Sequence, residues 1–152
     1  MTATTDTSAG VVDRTTSRNS DAAVGVFASA IAAGAQVIMV SSATYTLMDP
    51  SAPAVFSSKI VTDMLRKEMG FSGVVITDDV SAAVQVQDVA AGDRAVQAIR
   101  AGCDIVLASA DPTVVADMVK ALIAAAQSDP AFAARVDESA TRVLALKSGL
   151  QS

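Results

Sequence analysis

Three stretches of this chain share one pattern: a helix-compatible run ends in a glycine, and a short apolar run follows two or three residues later. Ala30-Ile31-Ala32-Ala33-Gly34 leads to Val37-Ile38-Met39-Val40, and Met64-Leu65-Arg66-Lys67-Glu68-Met69-Gly70 leads to Gly73-Val74-Val75-Ile76-Thr77. Ala98-Ile99-Arg100-Ala101-Gly102 leads to Asp104-Ile105-Val106-Leu107-Ala108. Glycine suits the residue after a helix because the left-handed conformation carries no Cβ penalty there. The apolar runs are rich in β-branched residues and unbroken by polar ones, which suits strands buried on both faces of a helix-covered parallel sheet. The glycines stand 36 and 32 residues apart, about the length of one strand–helix unit. The alternation predicts an α/β fold with parallel strands.

The remaining punctuation fits. Ser20 or Asp21 is placed to cap a helix reaching about residue 33. Ser57 or Ser58 is placed to cap the next, with Ile60, Met64 and Leu65 as its apolar stripe. Asp111-Pro112 starts a helix over 115–126, and Ser128-Asp129-Pro130 starts a last one carrying Val136, Ala140, Val143, Leu144 and Lys147 at helical spacing. This makes three clear strands and a fourth before Asp21. A closed (β/α)₈ barrel takes roughly 250 residues, so 152 residues make either a small open α/β domain or part of a TIM-type barrel with three to four strand–helix units.

Composition narrows the chemistry. The net charge is −5 with no basic run, so neither nucleic acid nor an anionic membrane is expected as a partner. Apolar residues make up 51% of the chain and aromatics only 3%, so the core must be built from small aliphatic side chains. Residues 22–48 carry no charge, but Gly25, Ser29, Gly34, Gln36, Ser41 and Ser42 interrupt them, and a helix, a turn and a strand explain the stretch better than a membrane span. The polar Thr- and Ser-rich residues 1–20 lack the form of a signal peptide. Cys103 is the only cysteine, which excludes an internal disulfide. The chain holds no histidine, which removes Ser-His-Asp and Cys-His catalysis and every histidine-containing metal site. No cofactor or metal is expected.

The segment richest in chemistry is Gly73-Val74-Val75-Ile76-Thr77-Asp78-Asp79-Val80-Ser81, where two carboxylates stand at the end of an apolar strand. Parallel α/β proteins gather their chemistry at that end. Alternation sends Asp78 and Asp79 to opposite sides, so they should have different jobs. From the residues alone the pair could hold Mg²⁺ for phosphoryl transfer, act as nucleophile or acid/base, or serve as a cap and a solvated charge. No glycine-rich phosphate cradle follows any strand. Ser41, Ser42, Thr44 and Tyr45 give the mouth of the preceding strand hydroxyl donors for a polar ligand, or simply a polar loop. Asp6, Asp13, Asp49 and Asp111 read as caps or turn formers.

Laid end to end, these segments resemble glycoside hydrolase family 3, in particular its β-N-acetylhexosaminidase branch. The matching stretches are Val37 through Tyr45, Asp49-Pro50 through Ser57, Met64-Leu65-Arg66, Met69-Gly70-Phe71 through Ala83, Arg94-Ala95-Val96, Ala101 through Leu107 and Arg135 through Lys147. The Phe71-x-Gly73-x-x-x-Thr77-Asp78 block is the most specific. The resemblance implies the C-terminal half of a TIM-type catalytic barrel in residues 21–152, with 1–20 as a remnant of a catalytic-loop region. It implies Asp78 as the nucleophile of a retaining glycosidase acting on β-linked N-acetylglucosaminides or β-glucosides through a covalent glycosyl-enzyme. Ser42 and Tyr45 fall where substrate contacts would lie.

The departures are as informative. The family's sugar-contacting lysine-histidine segment would fall before Met1. The branch's catalytic histidine would fall at Ser8 of Asp6-Thr7-Ser8, and a serine hydroxyl titrates too high to protonate a leaving group near neutral pH. Ser42 stands near a position that often holds histidine in relatives. Two readings result. One is a glycosidase fragment whose N-terminal half is missing and which has little activity on its own; the other is an inactive half-barrel that dimerises or docks on another chain.

Overall fold

The computed structural model describes residues 11–16 and 22–149. Strand β1 (Val12–Asp13) is followed by helix α1 (Ala22–Ala32), β2 (Val37–Val40) and β3 (Thr44–Tyr45). A π-helix (Lys59–Glu68) precedes β4 (Val74–Asp79), then come α2 (Ala91–Ala101), β5 (Ile105–Leu107), α3 (Val115–Ser128) and α4 (Pro130–Gly149). The three strands expected from the apolar runs form one parallel sheet in the order β2-β4-β5. The fourth is only two residues long and pairs with β3 in a separate parallel ladder, Val12 opposite Thr44 and Asp13 opposite Tyr45. This is a partial TIM-type barrel: parallel strands with helices packed along one side.

Local chemistry explains the element boundaries. The three glycines of the repeated pattern are the three described residues with positive φ: Gly34 at 89°, Gly70 at 70° and Gly102 at 122°. Gly102 is doubly constrained, because a Cβ there would lie 2.6 Å from the Thr62 hydroxyl oxygen. Of the two serines proposed to cap the second helix, Ser57 does the work. Its hydroxyl oxygen accepts from Ile60 N–H at 3.2 Å and donates to Asp49 at 2.7 Å. Asp111 accepts from Thr113 N–H, and Asp129 from Ala131 and Phe132, so both aspartate–proline signals are real helix starts. The expected caps Ser20 and Asp21 lie outside the described residues.

The core lies between the sheet and its helices, with Val55, Val61, Val75, Val86, Ala95 and Cys103 essentially sealed from solvent. One expectation is overturned. The β2 run does not bury both faces: Ile38 and Val40 are buried, whereas Val37 and Met39 are 46% and 54% exposed. Among the described residues β2 is an edge strand, and only the helical side of the sheet has a layer packed against it. Helix α1 buries none of its residues, and Val26 and Phe27 are exposed. Across the sheet, β5, α3 and α4 leave an aliphatic groove of about 720 Å³ that includes Ile105, Leu107, Leu122, Val136 and Val143. The stripe foreseen on α4 is therefore only partly covered. No helix among the described residues is long and apolar enough to cross a membrane.

One buried charge ties these layers together. The Asp104 side chain is fully buried at the head of β5. One of its oxygens accepts from Arg66 at 2.5 Å and from the Val75 N–H at 2.9 Å. The other accepts from Arg135 at 2.9 Å and from Ser139 and Arg142 at 3.2 Å. Arg66 also donates to the carbonyls of Gly102 and Gly73. The π-helix, β4, β5 and α4 thus meet at a single carboxylate. Burial would push that carboxyl up, but the Val75 N–H, the Arg135 hydrogen bond and the charges of Arg66 and Arg135 outweigh it and hold it below the ordinary carboxylate range.

Removing the charge leaves three arginines around a neutral group. Asp104→Asn is expected to lower stability by about 3–5 kcal/mol, read as a reduced urea midpoint. Asp49 and Asp13 are also held low despite burial, Asp49 by Ser51 and Ser57, and Asp13, at about 2, by Thr16 and Thr15. Carboxyls with depressed folded values contribute fully above their unfolded values, near pH 4, and lose that contribution as pH falls through the folded ones. Melting temperature should therefore fall steeply below about pH 4 and stay flat from there towards neutrality. Cys103, its thiol pushed up to about 12 by burial and by Asp104, should resist alkylation at neutral pH until the chain unfolds. Prompt reaction with iodoacetamide in the folded state would contradict that packing.

Candidate active site

Strand β4 runs through both carboxylates of the Asp78-Asp79 pair, so both belong to the strand and not to the loop after it. Alternation puts Asp78 on the side of Ile76, where the sheet has no helical cover, and Asp79 on the opposite side with Thr77. Their partners differ accordingly. The half-buried Asp78 accepts from the Asp79 N–H at 2.8 Å on Oδ1 and from the Ser42 hydroxyl at 3.2 Å on Oδ2.

Asp79 is occupied by structure. One oxygen takes the Ser81 N–H at 2.9 Å and its hydroxyl at 2.5 Å; the other takes the N–H groups of Ser109 at 3.1 Å and Ala110 at 2.7 Å. Burial would raise this carboxyl, but the Ser81 hydroxyl and the Ala110, Ser81 and Ser109 N–H groups hold it low. Asp79 clamps the loop after β5 onto the end of β4. A further hydrogen bond, Asp111 N–H to the Ser81 hydroxyl oxygen at 3.0 Å, closes the rim.

Below that rim lies Arg94, a buried guanidinium whose hydrogen-bond partners are all neutral. It donates to the carbonyls of Val89 at 2.7 Å and Val80 at 2.8 Å and to the Gln87 side chain at 3.0 Å. Gln87 in turn donates to the carbonyls of Ser81 and Ala83. The segment after Asp78-Asp79 is thus propped from beneath by side chains. Sequence reasoning passed over Arg94, although a charge in register with Ala98 and Ala101, on the apolar face of α2, was a usable signal.

The other candidates spread around the mouth of β2. Ser42 is fully buried, and its hydroxyl donates to Asp78. Tyr45 sits in β3 and lines a pocket of about 180 Å³ with Met39, Met48, Ile60 and Met64, among other mainly apolar side chains, a pocket that Asp78 does not line. The structure brings Ser42 to Asp78 and places Tyr45 apart. Asp13, Asp49 and Asp111 are turn and cap formers, each binding hydroxyls and N–H groups within ten residues. Asp6 and Ser8 lie outside the described residues. Among the described residues no cluster of three or more histidine, cysteine, aspartate or glutamate side chains could hold a metal ion.

Asp78 is thus a partly accessible carboxylate at the carboxyl end of a parallel strand, on the open side of the sheet, with donors from β4 and from the turn after β2. Such a group can attack an electrophilic carbon or accept a proton.

Comparison with known proteins bears on which of these fits. The model of the glycosyl hydrolase family 3 N-terminal domain matches residues 2–146. The crystal structure of a β-N-acetylhexosaminidase from Beutenbergia cavernae superposes with a TM-score of 0.89 at 57% identity, over 91% of this chain and 41% of that one. An uncharacterized secreted glycosyl hydrolase of Arthroderma benhamiae is 36% identical over 83% of this chain and 36% of its own. A β-hexosaminidase of Nitrosomonas eutropha is 40% identical over 52% of this chain and 22% of its own. The chain therefore spans well under half the length of these relatives. With the family model matching almost from end to end, on a sheet of the same build, the chain belongs to glycosyl hydrolase family 3, within its N-terminal domain.

Proposed function

We infer that this chain carries the nucleophile half of a retaining glycosidase acting on β-linked N-acetylglucosaminides or β-glucosides. The observation that carries this reading is Asp78: its carboxylate ends β4 on the open side of the sheet, held by the Asp79 N–H and the Ser42 hydroxyl. Attack on the anomeric carbon would break the glycosidic C–O bond, the aglycone oxygen leaving with the electron pair, and give a glycosyl-enzyme; water would then displace the carboxylate and release the sugar with retention. The names of the relatives support the substrate class. Residues 21–152 are read as the C-terminal half of the barrel and 1–20 as a remnant of its acid/base loop. Tyr45 is read as a contact beyond the immediate neighbours of Asp78.

A specific observation favours a second reading, in which the half-barrel pairs with another chain. Apolar side chains are exposed at both edges of the sheet region, Val37 and Met39 on β2 and Val119 and Ile123 on α3. An open parallel edge beside exposed aliphatic surface invites pairing.

Hydrolysis of a nitrophenyl N-acetyl-β-glucosaminide by the purified chain is expected to be slow, and Asp78→Asn should abolish what there is. A rate untouched by that substitution would remove Asp78 from the chemistry. With Ser8 in place of a titratable acid, turnover should depend on leaving groups that need no proton. The dinitrophenyl glycoside should be cleaved at least about a hundredfold faster than the methyl glycoside, the range general acid catalysis normally supplies. Sedimentation velocity tests the second reading, which a monomer across the micromolar range and no gain in activity with concentration would exclude.

A further inference from the structure

We propose that Ser42 is a positioning residue for Asp78, fixing the plane of its carboxylate from the neighbouring strand. This rests on the reading of Asp78 as the nucleophile and adds to it a second residue that never touches the sugar. β2 and β4 pair in parallel up to Val40 opposite Thr77, so Ser41-Ser42, just beyond β2, lie beside Asp78-Asp79 at the end of β4. The Ser41 hydroxyl oxygen accepts from the Ala43 N–H at 3.0 Å, which turns the chain at that point and sets Ser42. Ser42 has no solvent exposure, so water does not compete for its hydroxyl, and that hydroxyl lies 3.2 Å from Asp78 Oδ2.

The two oxygens of Asp78 are held from different elements. The N–H of the next residue in β4 fixes Oδ1, at 2.8 Å, and the hydroxyl from the end of β2 fixes Oδ2. The terminal torsion of aspartate is broad, and a donor on each oxygen, one from β4 and one from the turn after β2, restricts it. Nucleophilic attack depends on such alignment, because a misplaced reacting atom loses much of the advantage of a bound reactant. A hydrogen bond to a charged acceptor in a site shielded from water is also stronger than a neutral one.

Two measurements on the full chain test this, each with the Ser42→Ala and Ser42→Thr variants, after melting curves show that they fold. The first is modification of carboxyls by a water-soluble carbodiimide and an amine, read by peptide mass spectrometry, with the exposed Asp88 and Asp137 as internal controls. Ser42→Ala should speed modification of Asp78 by about tenfold, a loss in scale with one charge-assisted hydrogen bond. Ser42→Thr keeps the hydroxyl and should stay near the wild-type rate, and the controls should not change. This readout needs no turnover, and a general loosening of the fold would move the controls as well.

The second measurement is covalent trapping with the 5-fluoro glycosyl fluoride of N-acetylglucosamine. A carboxylate oxygen of Asp78 bonds to the anomeric carbon while the carbon–fluorine bond there breaks, fluoride leaving with the electron pair, so no proton donor or oxidant is required. Wild type should gain the label on Asp78, and Ser42→Ala should gain it about tenfold more slowly. Equal carbodiimide rates at Asp78 in wild type and Ser42→Ala would overturn the positioning role. A wild-type chain that shows the carbodiimide difference but takes no label on Asp78 would instead overturn the nucleophile reading and leave the Ser42–Asp78 pair intact.

Discussion

The architecture depends on one carboxylate that has lost all contact with water. Asp104 collects a main-chain N–H, a hydroxyl and three guanidinium groups, from residues as far away in sequence as Arg66 and Arg142. A charge in such a place is stabilising only if its donors are all present, because a half-satisfied buried ion costs more than an apolar residue would. Four elements are therefore placed by mutual need and not merely by apolar contact. This matters for α4, which seals only Phe132 and Ser139 fully against the body. Its position is fixed by ion pairs where its packing is thin.

The site at the other end of the sheet follows the same logic with weaker partners. Asp79 and Arg94 each spend their polar atoms on backbone groups and amides around the end of β4. Asp78, its neighbour, faces the open side of the sheet and accepts from the Asp79 N–H and the Ser42 hydroxyl. The chain belongs to glycosyl hydrolase family 3 and spans well under half the length of the relatives it matches.

Much of this was legible in the sequence because the signals are local. A glycine two or three residues before an apolar run marks a turn wherever it occurs, and Gly34, Gly70 and Gly102 all take the conformation that only glycine adopts easily. Aspartate before proline marked both late helices for the same reason. The alternation of Asp78 and Asp79 needed nothing beyond the period of a strand. The Asp104 cluster was not legible, since its members lie 29 to 38 residues from the carboxylate and no periodicity links them. The role of Ser42 was hidden likewise: a polar residue after a strand reads as a solvent-facing loop until the paired strand brings a carboxylate beside it. The exposed side of β2 was missed because an unbroken apolar run cannot report whether a second layer is there to cover it.

Asp79 joins two regions usually thought of separately. Its N–H orients the carboxylate before it, while its own side chain grips Ser109 and Ala110 in the loop beyond β5. The loop and the Asp78 carboxylate therefore share one rigid lever with a fulcrum at a single residue. Lengthening the loop, or drawing it outward, would twist the peptide whose N–H binds Asp78. The rim of this mouth is consequently not free to diversify on its own, and any change there must be matched by a change at the end of β4.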